Sequence, residues 1–279
     1  MKLNKNSTPY TLHFTLDKPV LLISASDSSA SAGMQVDLRV LQDLGAPARC
    51  AITAVTVQGD KGARSINPVA PDLIIDSINT ALSDPPGIGA VKVGLLGDGP
   101  TAKALDKPLS QIKSAGIPIV VDPVMRSTPG SDLSTEDTAA AILEWVLPWA
   151  TLFTPNRDEL NALSTLIDEL GCDEAEKASR LMGSGADGIL VTGGDTDEDQ
   201  CMDILYEAVG TATDFRHPRI GERAPRGTGC SLSTAIAVHL ARGIPVSEAV
   251  GRSIEYVTGL IEKAGMVGDQ LLLFPGKGP

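Results

Sequence analysis

The sequence has few of the residues that build disulfide scaffolds or metal clusters. It contains only four cysteines, Cys50, Cys172, Cys201 and Cys230, which lie far apart and form no C-x-x-C spacing. A disulfide framework and a cysteine-based zinc site are therefore not expected. A reducing compartment fits this cysteine usage best, and we expect a cytoplasmic protein.

Positive charge and long apolar runs are also scarce. Lys and Arg number 23 against 35 Asp and Glu, which gives a formal net charge of −12. This balance argues against nucleic acid or an anionic membrane as a main partner, although a local pocket and a metal ion still allow a nucleotide. No run reaches the ~18 apolar residues of a membrane span. The first 18 residues lack the apolar segment of a signal peptide.

Short apolar runs alternate with amphipathic, helix-type periods along the chain. We predict strands over 19–24, 50–57, 89–94, 117–121, 151–154 and 188–192, a hairpin over 201–216, and helices over 34–44, 72–83, 101–115, 135–146, 174–182, 231–240 and 246–264. Such alternation predicts a three-layer α/β/α fold with a mostly parallel central sheet. The chain has no internal repeat or dividing linker, so we expect an extension over 1–18 and a single domain over 19–279.

A glycine-rich turn precedes the helix predicted over 231–240. It consists of Gly227, Thr228, Gly229 and Cys230. At a helix start several backbone N–H groups have no internal partner and the helix dipole is positive. Glycine lets the backbone approach a ligand closely. The turn therefore predicts an anion pocket suited to a phosphate; the alternative is a loop that only caps the helix.

Ligands of an open parallel sheet bind beyond the carboxyl ends of its strands. Informative residues stand at these ends: Asp27, Gln58, Leu95, Asp122, Asn156, Glu159 and Thr192. Asp122 and Glu159 are the candidates to hold Mg²⁺, which prefers oxygen ligands and keeps several waters. The alternatives are a turn closed by Asp122, a solvated Glu159, and an Asn156 that caps the next helix.

Cys230 at a helix start also suggests a nucleophile, because the pKa of a thiol falls there. Such a thiol needs a base. His13 lies in the extension and His239 at the far end of the same helix, which leaves His217. Nothing in the sequence puts His217 beside the thiol, so a small residue lining the turn is the favoured interpretation.

Six segments occur in one order between Val20 and Ala264. They are SDSS…AGMQVD (26–37), TAVTVQ (53–58), VKVGLL (91–96), VVDPVM (120–125), TPN with its following glutamate (154–159) and GTGC (227–230). Together they resemble the hydroxymethylpyrimidine/phosphomethylpyrimidine kinases of thiamine biosynthesis, which belong to the ribokinase-like superfamily.

The resemblance implies transfer of the γ-phosphate of ATP to 4-amino-5-hydroxymethyl-2-methylpyrimidine or to its monophosphate, and a homodimer. The positions that match the family's sites are Asp27, Ala32, Gly33, Thr56, Gln58, Leu95 and Val124 for the pyrimidine, Asn156, Thr192, Gly194 and Arg226 for ATP, Asp122 and Glu159 for Mg²⁺, and Gly227, Thr228, Gly229 and Cys230 for the transferring phosphoryl group. Cys230 holds the place that related sugar kinases give to an aspartate base.

The chain departs from the family pattern at several positions. Ala25 replaces a glycine, and Ala30-Ser31 replaces Gly-Gly. Thr192 replaces a lysine that would meet the ATP phosphates. Arg226 stands where the family often has histidine, and we expect it to supply the missing charge. The alternatives left open are a pyridoxal- or pyridoxine-type kinase and a homologue that binds a thiamine precursor without turnover.

Overall fold

The computed structural model describes residues 18–59, 62–125, 133–167, 172–193, 199–208, 211–221 and 224–273. The strands are β1 Val20–Asp27, β2 Ala48–Gly59, β3 Gly62–Pro68, β4 Ala90–Val93, β5 Ile119–Val121, β6 Leu152–Phe153, β7 Ile189–Val191, β8 Gln200–Ala208, β9 Thr211–Pro218, β10 Gly265–Val267 and β11 Gln270–Leu272. The helices are α1 Gly33–Asp43, α2 Pro71–Ser83, α3 Gly99–Ser114, α4 Glu136–Trp145, α5 Arg157–Thr165, α6 Glu174–Gly183, α7 Thr228–Ala241 and α8 Val246–Glu262. Residues 1–17 of the predicted extension lie outside these ranges.

The central sheet has nine strands in the order β3-β2-β1-β4-β5-β6-β7-β8-β9. Strands β2, β1, β4, β5, β6 and β7 pair in parallel, while β3, β8 and β9 add antiparallel edges. The predicted, mostly parallel α/β fold is therefore confirmed. Strand β3, helix α5 as an element, and the β10–β11 ribbon were not predicted. None of the described helices is long and apolar enough to cross a membrane.

Two apolar cores cover the two faces of the sheet. Because side chains alternate along a strand, Leu21 and Ile23 of β1 point into one core, which helices α2 to α6 complete. Val20 and Leu22 point into the other core, which α1, α7 and α8 complete. The central strands are thus covered on both faces, which is typical of a parallel sheet.

Helix α7 is buried all round, not only along one apolar stripe. Every residue from Ser231 to Leu240 is buried, including Ser231, Ser233 and Thr234. The apolar spacing that predicts this helix from the sequence also predicts a polar, solvated side. That side is instead turned towards buried carboxylates of neighbouring elements, and these accept hydrogen bonds from Ser233 and Thr234.

A fully buried ion pair connects β4, α1 and α7. Lys92 Nζ donates to Asp37 Oδ2 at 2.9 Å, and both side chains have no exposed surface. Asp37 Oδ1 accepts from the Thr234 hydroxyl at 2.9 Å. Burial alone lowers the pKa of Lys92, but its neighbours, above all Asp37 through its charge and the hydrogen bond to it, outweigh burial and raise that pKa above its ordinary value. The amine is therefore a permanent cation beneath the start of α7.

The loop after β1 contains a strained alanine. Ala30 has a φ of +55°, and it is the only residue other than glycine with a positive φ in the described part of the chain. This left-handed conformation favours glycine, because the Cβ of other residues crowds the following carbonyl. The departure from Gly-Gly at positions 30 and 31 therefore puts a side chain where the backbone calls for glycine.

We expect Lys92→Met to lower the free energy of unfolding by about 3–5 kcal/mol, because Asp37 would remain as a buried, uncompensated charge. The double variant Lys92→Met/Asp37→Asn should recover most of this loss, since no buried charge of the pair is left. Urea unfolding followed by circular dichroism measures both. A double variant as unstable as Lys92→Met would contradict the role given to the ion pair.

Ala30→Gly should raise the free energy of unfolding by about 1 kcal/mol, because it relieves the left-handed strain. Ala32→Gly is the matched control, since Ala32 has an extended φ of −150° that any residue adopts. There glycine only adds freedom to the unfolded chain and should destabilise the protein. Thermal or urea unfolding of the two variants measures these changes in the free energy of unfolding. If Ala30→Gly and Ala32→Gly changed it in the same direction, the strain assigned to Ala30 would be refuted.

Candidate active site

The predicted site residues come together around one cavity. All of them that the structure describes line a cavity of about 420 Å³, and only Gly194 lies outside the described residues. The cavity lies beyond the carboxyl ends of the parallel strands: Asp27 ends β1, Asp122 follows β5 and Thr192 follows β7. The start of α7 forms the wall that these strand ends face.

The glycine-rich turn closes tightly on the loop after β1. Gly227 is the N-cap of α7 with a φ of +86°, and a Cβ there would lie 2.7 Å from the Ser31 carbonyl oxygen. Only glycine satisfies both the conformation and the space. The first helical hydrogen bond runs from Ser231 N to Gly227 O at 2.8 Å. The N–H groups of Thr228, Gly229 and Cys230 therefore lack partners within the helix, as an anion pocket requires.

Asp122 lies next to this turn, since a Cβ built on Gly229 would lie 3.9 Å from Asp122 Oδ2. It is 6% exposed, its Oδ2 accepts from the Ser233 hydroxyl at 3.1 Å, and it is the neighbour of Gly229 in the cavity. Burial raises the pKa of Asp122, and the charge of Lys92 and the hydrogen bond from Ser233 offset this only in part. A bound cation would favour the ionised form, so the group fits a metal-binding role.

Asn156 and Glu159 form a capping box at the start of α5. Glu159 N donates to Asn156 Oδ1 at 2.8 Å, and Asn156 N donates to Glu159 Oε2 at 3.0 Å. The capping interpretation of Asn156 is thus confirmed. Because Glu159 Oε1 also accepts from Met125 N at 3.3 Å, both of its oxygens are engaged with the backbone. A metal near Glu159 is best reached through water.

Thr192 lies beside the capping box. Its N–H donates to Pro155 O at 3.0 Å, and it forms an isolated parallel bridge with Asn156. Among the described residues no group of three or more His, Cys, Asp or Glu could hold a metal by itself. This still fits Mg²⁺, which is commonly held by one or two carboxylates together with substrate phosphates and water.

Asp27 organises the loop after β1, which lines the cavity on the side of the sheet away from Thr192. Its carboxylate accepts from Ser29 N at 2.8 Å and from Ala32 N at 3.0 Å. Gly33 follows with a φ of +59°, and a Cβ there would lie 2.5 Å from the Ala25 carbonyl oxygen. Asp27 therefore lines the cavity while its oxygens hold the loop in shape.

Arg226 lies at the end of the cavity where Gln58 lies. It is buried, and its guanidinium donates to Gln58 Oε1 at 2.7 Å and to Gly59 O at 3.3 Å. Gln58 is near the end of β2, five strand positions from β7, which is on the order of 20 Å at the usual strand spacing. The geometry therefore gives no support to the expectation that Arg226 replaces the lysine missing at Thr192.

The structure contradicts a lowered thiol pKa at Cys230. The residue is half-buried, yet withdrawal of its sulfur from water raises the pKa of Cys230 to about 12, although the charge of Lys92 acts in the opposite direction. Removal of the sulfur from water raises the pKa of the thiol by more than the helix start lowers it. The thiol is therefore neutral near pH 7 and is not an activated nucleophile. His217 lines the same cavity, and its Nε2 lies 3.4 Å from Asp203 Oδ2.

Several cavity residues were not predicted from the sequence. Asp203 and Cys201 of β8 line the cavity beside His217, and Asp203 Oδ1 accepts from Gly193 N at 2.7 Å. Only the register of the β8–β9 hairpin brings them together. Ser233, which is fully buried behind the cavity wall and donates to Asp122, was not predicted either. Its position four residues beyond Gly229, one helical turn away, is the one signal for it in the sequence.

Known proteins match the chain over most of its length. A family model described as phosphomethylpyrimidine kinase matches residues 27–273. The hydroxymethylpyrimidine/phosphomethylpyrimidine kinase of Rhizobium meliloti is 36% identical, covering 93% of this chain and 94% of the relative. That of Haemophilus influenzae is 31% identical, over 90% and 93%. The chain spans half the length of a bifunctional thiamine biosynthesis protein of Geobacter sulfurreducens, at 34% identity.

Solved structures agree on the fold. The pyridoxal kinase of Staphylococcus aureus in complex with AMP-PCP and pyridoxal has a TM-score of 0.80 at 29% identity, covering 93% of both chains. A phosphomethylpyrimidine kinase of Clostridium difficile has a TM-score of 0.71 at 28% identity, covering 88% of this chain and 99% of that one. The predicted ribokinase-like architecture is confirmed by these likenesses. This chain belongs to the phosphomethylpyrimidine kinase family and is a phosphotransferase.

Proposed function

We propose that this chain transfers the γ-phosphoryl group of ATP to 4-amino-5-hydroxymethyl-2-methylpyrimidine or to its monophosphate, in thiamine biosynthesis. The observation that carries the proposal is that the amide groups of Gly227–Cys230, the carboxamide of Gln58 and the carboxyl group of Asp122 line one cavity. Phosphoryl transfer needs positioning and charge stabilisation and little covalent chemistry from the protein. The names of the relatives supply the substrate class.

The ring would lie at the end of the cavity that Gln58 and Asp27 define. The proposed contacts of the pyrimidine are Asp27, Ala32, Gly33, Thr56, Gln58, Leu95 and Val124, all on the cavity wall. Leu95 is buried and Val124 half-buried, which suits the apolar faces of a ring. Gln58 has both a donor and an acceptor, which suits the edge of an aminopyrimidine.

ATP would occupy the end formed by Asn156 and Thr192, and we extend this prediction to Gly194. We propose Asp122 as a direct holder of Mg²⁺ and Glu159 as a holder through water. Mg²⁺, when bound, neutralises phosphate oxygens and fixes their position. The N–H groups at the start of α7 then stabilise the charge on the transferring group.

Cys230 acts through its backbone in this proposal. A thiol with a pKa of about 12 is a poor base near pH 7. Its N–H group lies in the first turn of α7, next to those of Thr228 and Gly229. The substrate hydroxyl can lose its proton late, to an oxygen of the transferred phosphoryl group or to water, since phosphoryl transfer depends chiefly on positioning and electrostatics.

A pyridoxal-type kinase is the second candidate, because the structure resembles the Staphylococcus aureus pyridoxal kinase solved with pyridoxal. A binding protein without turnover is the third.

The homodimer and the cytoplasmic location also stay predictions. Ile52, Val55 and Val57 of β2 are exposed apolar residues, and a second copy of the chain is the partner we expect there.

A coupled ADP assay tests the proposal. With ATP, Mg²⁺ and the pyrimidine or its monophosphate we expect ADP formation, and a kcat/KM at least about 10-fold lower with pyridoxal. Removing Mg²⁺ with a chelator should abolish turnover. A higher kcat/KM with pyridoxal would favour the second candidate. Binding of the pyrimidine by calorimetry without ADP formation would favour the third.

Asp122→Asn should separate stability from activity. The pKa of Asp122 is raised in the folded protein, so its protonated form contributes stability that is fully present below its unfolded pKa of about 4. This contribution is lost as the pH rises through the folded pKa. At about pH 7 the variant should be more stable than the wild type by about 0.5–2 kcal/mol, while its kcat falls by about 10²–10³.

Urea unfolding from about pH 4 to about pH 8 gives the free energy of unfolding of the variant and of the wild type. Their difference measures the effect of Asp122, because the contributions of the other carboxylates are the same in both proteins and cancel. The gain in stability should grow with pH. A gain that shrinks as the pH rises, or an Asp122→Asn protein with full kcat, would contradict the roles given to this carboxyl group.

A further inference from the structure

Four residues form a directed chain of hydrogen bonds at the ring end of the cavity. Arg226 Nη2 donates to Gln58 Oε1 at 2.7 Å. Gln58 Nε2 donates to Thr56 Oγ1 at 2.9 Å, and the Thr56 hydroxyl donates to Ser26 O at 3.2 Å. A guanidinium has only donors, so the oxygen of the Gln58 carboxamide must face Arg226. The orientation of the amide is thereby fixed.

Counting donors and acceptors shows what Gln58 offers to a ligand. A carboxamide has two N–H donors and two acceptor lone pairs on its oxygen. Arg226 uses one lone pair and Thr56 uses one N–H. One acceptor remains on the oxygen and one donor on the nitrogen, and Arg226 sets which end of the amide carries which. The backbone beneath them is held as well, because Gln58 N donates to Ser28 Oγ at 2.9 Å.

Arg226 itself is held firmly. It is 6% exposed, its backbone N–H donates to Leu271 O at 3.0 Å, and its Nη1 donates to Gly59 O at 3.3 Å. Thr56 cannot fix the amide alone, because a hydroxyl rotates and also donates. If Arg226 were absent, Thr56 could donate to a carboxamide turned the other way. The cation therefore decides between the two orientations.

We propose that Arg226 is a specificity-determining positioning residue, which orients Gln58 so that the cavity selects a ring edge with an amino donor beside a ring-nitrogen acceptor. In 4-aminopyrimidine the amino group donates to Oε1 and the neighbouring N3 accepts from Nε2. Glutamine reads the amino group and ring nitrogen of adenine by the same paired contact. The inference rests on the proposed function and deepens it, since it names the substrate edge that is read.

The test uses a substrate with the reversed edge. The 4-oxo analogue, 5-hydroxymethyl-2-methylpyrimidin-4-one, presents a carbonyl acceptor beside a ring N–H donor. Wild-type protein should prefer the amino compound by about 100-fold in kcat/KM, because both contacts turn repulsive with the analogue. In Arg226→Met the Gln58 carboxamide can rotate to exchange its oxygen and nitrogen, so the kcat/KM preference for the amino compound should fall by about 10-fold. The ATP KM should stay within about twofold.

A double-mutant cycle separates this role from a structural one. In a Gln58→Met background, Arg226→Met should change the preference no further, because the residue through which Arg226 acts is gone. Arg242→Met is the matched control. It removes another guanidinium–carbonyl contact, to Leu44 O, at the far end of α7, and should leave the preference unchanged.

Calorimetry of both ring compounds without ATP measures the preference of the wild type for the amino compound over the 4-oxo analogue. This measurement remains decisive even if Arg226→Met folds poorly. Binding of the amino compound with no preference over the 4-oxo analogue would overturn the inference and leave the proposed function standing. A preference that Arg226→Met does not narrow, or a changed ATP KM alone, would also overturn it. A wild type that binds neither ring would overturn the proposed function, and the inference with it.

Discussion

Two neighbouring hydroxyl groups of α7 bind two buried carboxyl groups, and these contacts hold the end of the helix that lines the cavity in place. Ser233 donates to Asp122 after β5, and Thr234 donates to Asp37, which Lys92 of β4 neutralises. Unpaired amide groups stabilise a moving phosphoryl group only if they are aligned beforehand. The buried polar cluster supplies that alignment. It also explains why a helix at the centre of the fold contains serine and threonine instead of an apolar stripe.

Close backbone approach is the second constraint on the site. The Cβ position at Gly227 meets Ser31 O, and that at Gly33 meets Ala25 O, so the loop after β1 lies against the glycine-rich turn. The ring end and the phosphate end of the cavity therefore share one wall. In the same loop Ala30 has a positive φ, so this wall of the cavity includes a residue other than glycine in a strained conformation.

Local patterns in the sequence predicted the parallel core and the parts of the cavity wall at the strand ends and at the glycine-rich turn, whereas Ala32, Thr56 and Val124 followed only from the resemblance to the family. Apolar runs identify buried strands, and the rule that ligands bind at strand ends selects Gln58, Asp122 and Asn156. Partners between distant elements were not predictable. The pairing of Arg226 with Gln58 joins positions 168 residues apart, and the raised pKa of Cys230 depends on burial by the whole fold. Spacing along the chain carries no signal for either.

The charges around the cavity explain how nucleotide binding must be divided among the groups of this chain. Asp27, Asp122, Glu159 and Asp203 line it, against Arg219 and Arg226 among the described arginines and lysines. Arg226 donates to Gln58, so in the proposed function its charge lies beside the ring and far from Thr192. In the proposed function, Mg²⁺ and the N–H groups at the start of α7 would therefore neutralise most of the negative charge of the triphosphate. The proposed function therefore requires that this anionic wall bind a metal–nucleotide complex in preference to the free nucleotide.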